Sequence, residues 1–102
     1  MENLLPIGSV VLLKEASKRI MIIGYYPMLV EDGREVTYDY TACIFPEGIM
    51  SSEETLVFNK DQIVQVFYSG LADEEQIDFM NRLKVVVAED NAAAGNIPVS
   101  NN

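Results

Sequence analysis

The side chains that most often carry out chemistry are scarce in this sequence. Histidine is absent from its 102 residues, which removes the commonest general base and the commonest metal ligand together. Nucleophilic catalysis needs a Ser, Cys or Thr beside a base. Ser9, Ser17, Ser51, Ser52 and Ser69 have no histidine to activate them, and no Gly-x-Ser-x-Gly elbow occurs. Cys43 is the single cysteine, so no internal disulfide can form; between Ala42 and Ile44 it reads as a small hydrophobe on a strand. Two carboxylates ~5–10 Å apart across a cleft could hydrolyse a glycoside. The dense acid pairs are Glu53-Glu54, in a loop, and Glu74-Glu75, at the start of a helix where they match its dipole. Gly8, Gly24, Gly33, Gly48 and Gly70 are isolated, which excludes a P-loop and a dinucleotide fingerprint, and no EF-hand spacing occurs. The expectation is a non-enzymatic chain with no catalytic residue, cofactor or metal.

The tyrosines are richer material. Tyr25, Tyr26, Tyr38, Tyr40 and Tyr68 fall on or near strands, and a ring with an apolar face and a wet tip suits a protein interface. The same rings serve equally to cover the ends and edges of a small β domain. For partner binding the candidates are Tyr25, Tyr26, Tyr38, Tyr40 and Glu47, with the exposed side of the second strand. Amphipathic rings beside an acid can grip a partner helix.

Charge narrows the partner. Sixteen acidic residues against seven basic ones give a net charge of −9. Nucleic acid binding draws its affinity from clustered Lys and Arg, and anionic lipid repels an acidic surface. The sign fits a cationic protein or peptide, or simple solubility. The start, Met-Glu-Asn-Leu-Leu-Pro, is not the basic-then-apolar pattern of a signal peptide, and apolar runs such as Ile20–Ile23 are too short to span a bilayer. A cytoplasmic location is expected.

The elements that must hold these residues follow from patterning. Ser9–Lys14 reads as a strand, Glu15–Ser17 as a loop and Lys18–Tyr26 as the returning strand. Ile20-Met21-Ile22-Ile23 does not alternate, so both faces need cover. Gly24 predicts a bulge or close approach, and Pro27 an edge or bend. Asp32-Gly33 between Met28–Glu31 and Arg34–Cys43 is a hairpin signal of type I′ chemistry. Pro46-Glu47-Gly48 breaks the strand, and Thr55–Phe58 is a short further one. Asn59 predicts a helical turn with Gln62 reaching back. Ile63–Tyr68 fits helix or strand; one turn followed by a fifth strand is favoured. Asp73–Glu89 is an α-helix, capped by Asp73 with Gln76 in a capping box. Its apolar stripe is Ile77, Met80, Leu83 and Val87, with Phe79 and Val86. The fold class is α+β, mainly β: a small SH3-like five-stranded barrel or a bent antiparallel sheet, with the C-terminal helix packed on it. Residues 1–90 form one domain and 91–102, poor in core formers, a flexible tail.

Several segments together carry a family resemblance. They are Leu4–Lys14, Lys18–Gly24, Tyr38-Asp39-Tyr40 with Cys43 and Pro46-Glu47-Gly48, Phe58-Asn59 with Ile63, and Gly70 with Asp73-Glu74-Glu75. Over roughly residues 4–83 this resembles domain-of-unknown-function family 4176 of Gram-positive bacteria. The resemblance implies a place in type VII secretion loci, near toxins with an N-terminal LXG-type helical domain. It implies a cytoplasmic adaptor or chaperone that holds a toxin, or its helical targeting partners, before export. No catalytic residue carries over.

Three readings stand. The first is that adaptor. The second is an immunity protein bound to the toxic domain. The third is a small hydrolase, for which loss of activity on changing Glu53-Glu54 would be the minimum support. Exposed edge strands leave homodimerisation open.

Overall fold

A computed structural model describes residues 4–51 and 53–95. Residues to Leu71 form one compact unit and those from Ala72 a second. The first unit holds seven strands: β1 (Val10–Leu13), β2 (Ile20–Tyr25), β3 (Met28–Glu31), β4 (Arg34–Thr37), β5 (Tyr40–Ile44), β6 (Leu56–Phe58) and β7 (Ile63–Tyr68). A 3-10 turn, Lys60–Gln62, precedes β7. Every pairing is antiparallel, in a five-stranded sheet ordered β6-β5-β2-β1-β7 and a separate β3-β4 ribbon.

The outer strands β6 and β7 are not paired with each other, so the sheet is open and the bent-sheet alternative holds over the closed barrel. Closure would need two full-length edges in register. Here one edge is three residues long, and the other is irregular. Between Val10↔Tyr68 and Val11↔Val66 one residue of β7, Phe67, has no counterpart; between Leu12↔Gln65 and Leu13↔Ile63 the extra residue is Val64. Each is a β-bulge, which breaks the ladder and bends the strand.

The Ile20–Ile23 run has one buried face and one half-buried face. Strand β2 lies between β1 and β5, and Ile20 and Ile22 are buried. Around them Val10, Val11, Tyr40, Ala42, Cys43 and Phe58 fill the core, so both faces of the central strands contribute. The bulge expected near Gly24 is present: Ile22 opposes Ala42 and Gly24 opposes Thr41, which leaves Ile23 over.

The Arg34–Cys43 segment is two strands, not one, because Tyr38 and Asp39 leave the ladder. Asp39 has other partners. Its N–H donates to Asn59 Oδ1 at 3.1 Å, and its carboxylate accepts from the Lys60 N–H at 2.8 Å. Asn59 N–H in turn donates to the Gln62 side chain at 2.9 Å, the reach-back its sequence predicts. The turn and strand order favoured for residues 59–68 is therefore present. At the hairpin tip Asp32 and Gly33 adopt φ of 54° and 78°, the left-handed pair that a type I′ turn requires.

The N-terminal segment is pinned by a buried hydroxyl. Ser9, fully buried, donates through Oγ to the Pro6 carbonyl at 2.7 Å and accepts from the Gly70 N–H at 2.9 Å. Its backbone carbonyl accepts from Ile22 N–H at 2.8 Å, and Gly8 N–H donates to the Ile22 carbonyl at 2.8 Å. Gly70 must be glycine at this junction, since a Cβ there would lie 2.0 Å from the Ile7 carbonyl oxygen.

The second unit is one helix, α1 (Glu74–Gly95). Asp73 caps it, accepting from Gln76 N–H at 2.9 Å through Oδ1 and from Ile77 N–H at 3.0 Å through its carbonyl. The helix continues past Glu89 through Asn91–Gly95, the first part of the expected tail. Ala92, Ala93 and Ala94 are the best helix formers and supply the reason. The rest of that tail lies outside the described residues.

Two substitutions test the Ser9 junction. Ser9→Ala leaves the half-buried Gly70 N–H without its acceptor and should cost about 1 kcal/mol in urea unfolding. Gly70→Ala should lower the urea midpoint further, because its clash is with backbone rather than with a side chain able to turn aside.

Candidate interaction site

The tyrosines expected to meet a partner have several distinct environments. Tyr40 is an interior residue, 1% exposed, with its ring 5.0 Å from Phe58 and 6.2 Å from Tyr25. Its hydroxyl accepts from the Leu5 N–H at 2.9 Å, while the Tyr25 hydroxyl donates to the Leu5 carbonyl at 2.6 Å. The pair therefore grips both backbone groups of one residue, as a neighbouring strand would. Burial holds the Tyr40 hydroxyl above the usual phenol range, with Asp39 and the neighbouring tyrosines adding to it against the Leu5 bond. Tyr40 presents no surface for a partner because its ring is core and its hydroxyl is engaged.

Tyr26 and Tyr38 stand at the base of the β3-β4 ribbon. Tyr26 has a positive φ of 54°, and its N–H donates to the Asp39 carbonyl at 3.0 Å. Burial, then the Asp39 charge, raises its hydroxyl. Tyr38 donates through its hydroxyl to Glu31 at 2.7 Å, and that bond is the main cause of its raised pKa.

Glu47 belongs to the opposite end of the sheet. In the β2-β5 register Tyr25 opposes Tyr40 at one end and Ile20 opposes Ile44 at the other. Glu47 follows Ile44, and Lys18 precedes Ile20; their side chains meet at 2.7 Å. That hydrogen bond holds the Glu47 carboxyl below the usual carboxylate range, helped by Arg19. The candidate residues thus do not converge on one patch.

The same end of the sheet carries a feature that sequence reading missed. Gly8, Val10, Met21, Phe45, Phe67 and Tyr68 line a cavity of about 430 Å³, together with Arg19. Arg19 lies over two rings, its guanidinium carbon 5.1 Å from the Phe45 centroid and 5.9 Å from that of Phe67. Contacts of this length are attractive through the ring quadrupole. The β7 bulge makes the arrangement. Phe67 and Tyr68 are consecutive, and in a regular strand would point to opposite faces; the extra residue lets both line one cavity. Met21 comes from the side of the second strand that sequence reading had singled out. Arg19 and Phe45 had visible neighbours, the start of an apolar run and Pro46, but nothing in the spacing joins them across strands.

Among the described residues no group of three or more Cys, Asp and Glu is placed to hold a metal ion. No described helix is long and apolar enough to cross a membrane.

The Lys18–Glu47 pair gives a direct test. Its contribution to stability is present above the ordinary carboxylate pKa and is lost as pH falls through the lowered Glu47 value. Both side chains are exposed, so the energetic effect is small, and the titration itself is the readout. In Lys18→Met the Glu47 carboxyl, followed by carbon NMR, should titrate at higher pH than in the parent chain.

No curated protein and no solved structure matches this chain. One family model does, over residues 4–79, a span that includes the Ser9–Gly70 junction, both tyrosine clamps on Leu5 and the whole Arg19 cavity. The chain therefore belongs to the domain of unknown function family DUF4176.

Proposed function

We propose that this protein is a non-enzymatic protein-binding adaptor or chaperone, which holds an LXG-type toxin, or the small helical proteins that target it, in the cytoplasm ahead of type VII secretion. One observation supports the binding part above the rest. Along β7, Val64, Val66, Phe67 and Tyr68 are all exposed, and Phe67 and Tyr68 help to line the cavity. Contiguous apolar surface of this kind marks a place where another macromolecule sits. The secretion context comes from the family resemblance. The scarcity of activated nucleophiles and bases in the sequence agrees with a binding role.

The test is co-expression with an LXG-type protein, whole and as separate halves, followed by affinity capture and size exclusion. Retention by the N-terminal helical half supports the adaptor. Retention by the C-terminal toxic half alone would replace it with an immunity role, and capture by neither would refute both. Tyr68 is 62% exposed, so Tyr68→Ala should leave the urea midpoint nearly unchanged. If β7 is the contact, it should weaken capture by about tenfold or more, as buried interface tyrosines do. Self-association through an edge strand is the competing use of this surface, and sedimentation of the isolated chain distinguishes it.

A further inference from the structure

Arg19 lines an apolar cavity while itself remaining exposed. Its guanidinium carbon lies within 6 Å of two ring centroids, those of Phe45 and Phe67. Its N–H groups make no ion pair among the described residues, and Glu47, the acid whose charge it feels, is bonded to Lys18. A guanidinium held beside two rings presents a fork of donors, and that fork matches a carboxylate two bonds at a time. Lys14 and Lys18 stand on the same β1-β2 connection, so three of the seven basic residues fall within this short stretch, against Glu15 and Glu47. The long-range repulsion from a net charge of −9 is screened over ~8 Å at physiological salt, and a contact at the exposed Arg19 escapes that screening only to the extent that the ligand covers the rings beside it.

We propose that the Arg19 cavity receives an acidic side chain from a partner peptide, an Asp or Glu flanked by apolar residues. The carboxylate accepts from the guanidinium, and the flanking groups cover Phe45, Phe67 and Tyr68. This deepens the binding role proposed above and rests on it. The occupant is a peptide because the rim is open: Phe67 is 46% and Tyr68 62% exposed, and only a ligand that extends beyond the cavity covers them. Addition of a strand along β7 is the other route to that surface. The two bulges at Val64 and Phe67 interrupt the regular row of donors and acceptors that an added strand needs.

The probe is an N-acetylated, C-amidated Leu-Glu-Phe-Leu peptide, with its Leu-Gln-Phe-Leu counterpart, titrated into the full chain and followed by backbone amide NMR shifts. The Glu peptide should move the amides of Arg19, Met21, Phe45 and Phe67 saturably, and the Gln peptide should bind about tenfold more weakly. Arg19→Lys keeps the charge but loses the fork, and should bring the Glu peptide to the affinity of the Gln peptide while the dispersed spectrum persists. Phe67→Ala should weaken both peptides alike. Equal affinity for the two peptides, shifts confined to other residues or no saturation would overturn the proposal. Binding of 4-phenylbutyrate as tight as that of the Glu peptide would overturn the peptide assignment in favour of a free aromatic acid. The titration needs no toxin, so the two proposals fail separately. A chain that binds the Glu peptide but captures no LXG-type protein overturns the secretion role alone. An Arg19→Lys chain that captures the toxin at full strength overturns the cavity's part in it.

Discussion

The Ser9 hydroxyl is the interaction on which the first unit depends. A buried polar group that is half satisfied costs more than an apolar one, and one that is fully satisfied fixes a single arrangement. Ser9 uses its donor on Pro6 and an acceptor site on Gly70, so the chain entering β1 and the chain leaving β7 are held by one oxygen atom. The backbone of the same residue bonds to β2 through Ile22. The first, second and last strands of the sheet are thus located by a residue that sequence reading treats as the polar start of a strand. The absence of a Cβ at Gly70 lets Ile7 approach closely enough for the arrangement to exist.

The tyrosines show a division of labour along the β2-β5 pair. At the Tyr25–Tyr40 end the rings and hydroxyls hold Leu5 and close the core. At the Ile20–Ile44 end the chain leaves an apolar cavity with one cation over it. The polar tips that make tyrosine attractive as a contact residue are used internally at Tyr25 and Tyr40. The open aromatic surface instead comes from Phe67 and Tyr68 on an edge strand. The two ends also differ in charge: Asp39 and Glu31 lie among the tyrosines, whereas at the other end Lys18 is paired with Glu47 and Arg19 lines the cavity.

Local chemistry was legible in the sequence wherever one residue decides the outcome. Asp32-Gly33 gave its turn, Asp73 its cap, Asn59 and Gln62 their turn, and Gly24 its neighbouring bulge. The Ile20–Ile23 run announced a strand with both faces in need of cover; it lies at the centre of the sheet, with Ile20 and Ile22 buried and Met21 and Ile23 only half-buried. What was not legible depends on pairing across the sheet. The break at Tyr38-Asp39 is set by Asn59 and Lys60, some twenty residues away in the chain. The openness of the sheet depends on the register of β7 against β1, which patterning alone does not fix. The Arg19 cavity needs that same register and its bulge, so Arg19, Phe45 and Phe67 were unremarkable one at a time.

The β3-β4 ribbon is a closed excursion from the sheet. Backbone bonds run from the Tyr25↔Tyr40 pair through Tyr26–Asp39 and Pro27–Tyr38 to Met28↔Thr37, and beyond that, among the described residues, the ribbon's backbone bonds run along its own length to the tip. Strands β2 and β5 meet directly beneath it, so loss of ribbon order from the tip downward stops at the tyrosines and does not reach the core. Local opening of this kind is a separate event with its own, lower free energy. The ribbon can therefore change length at little cost to the core, since closing a longer loop there adds only a slowly growing entropy cost.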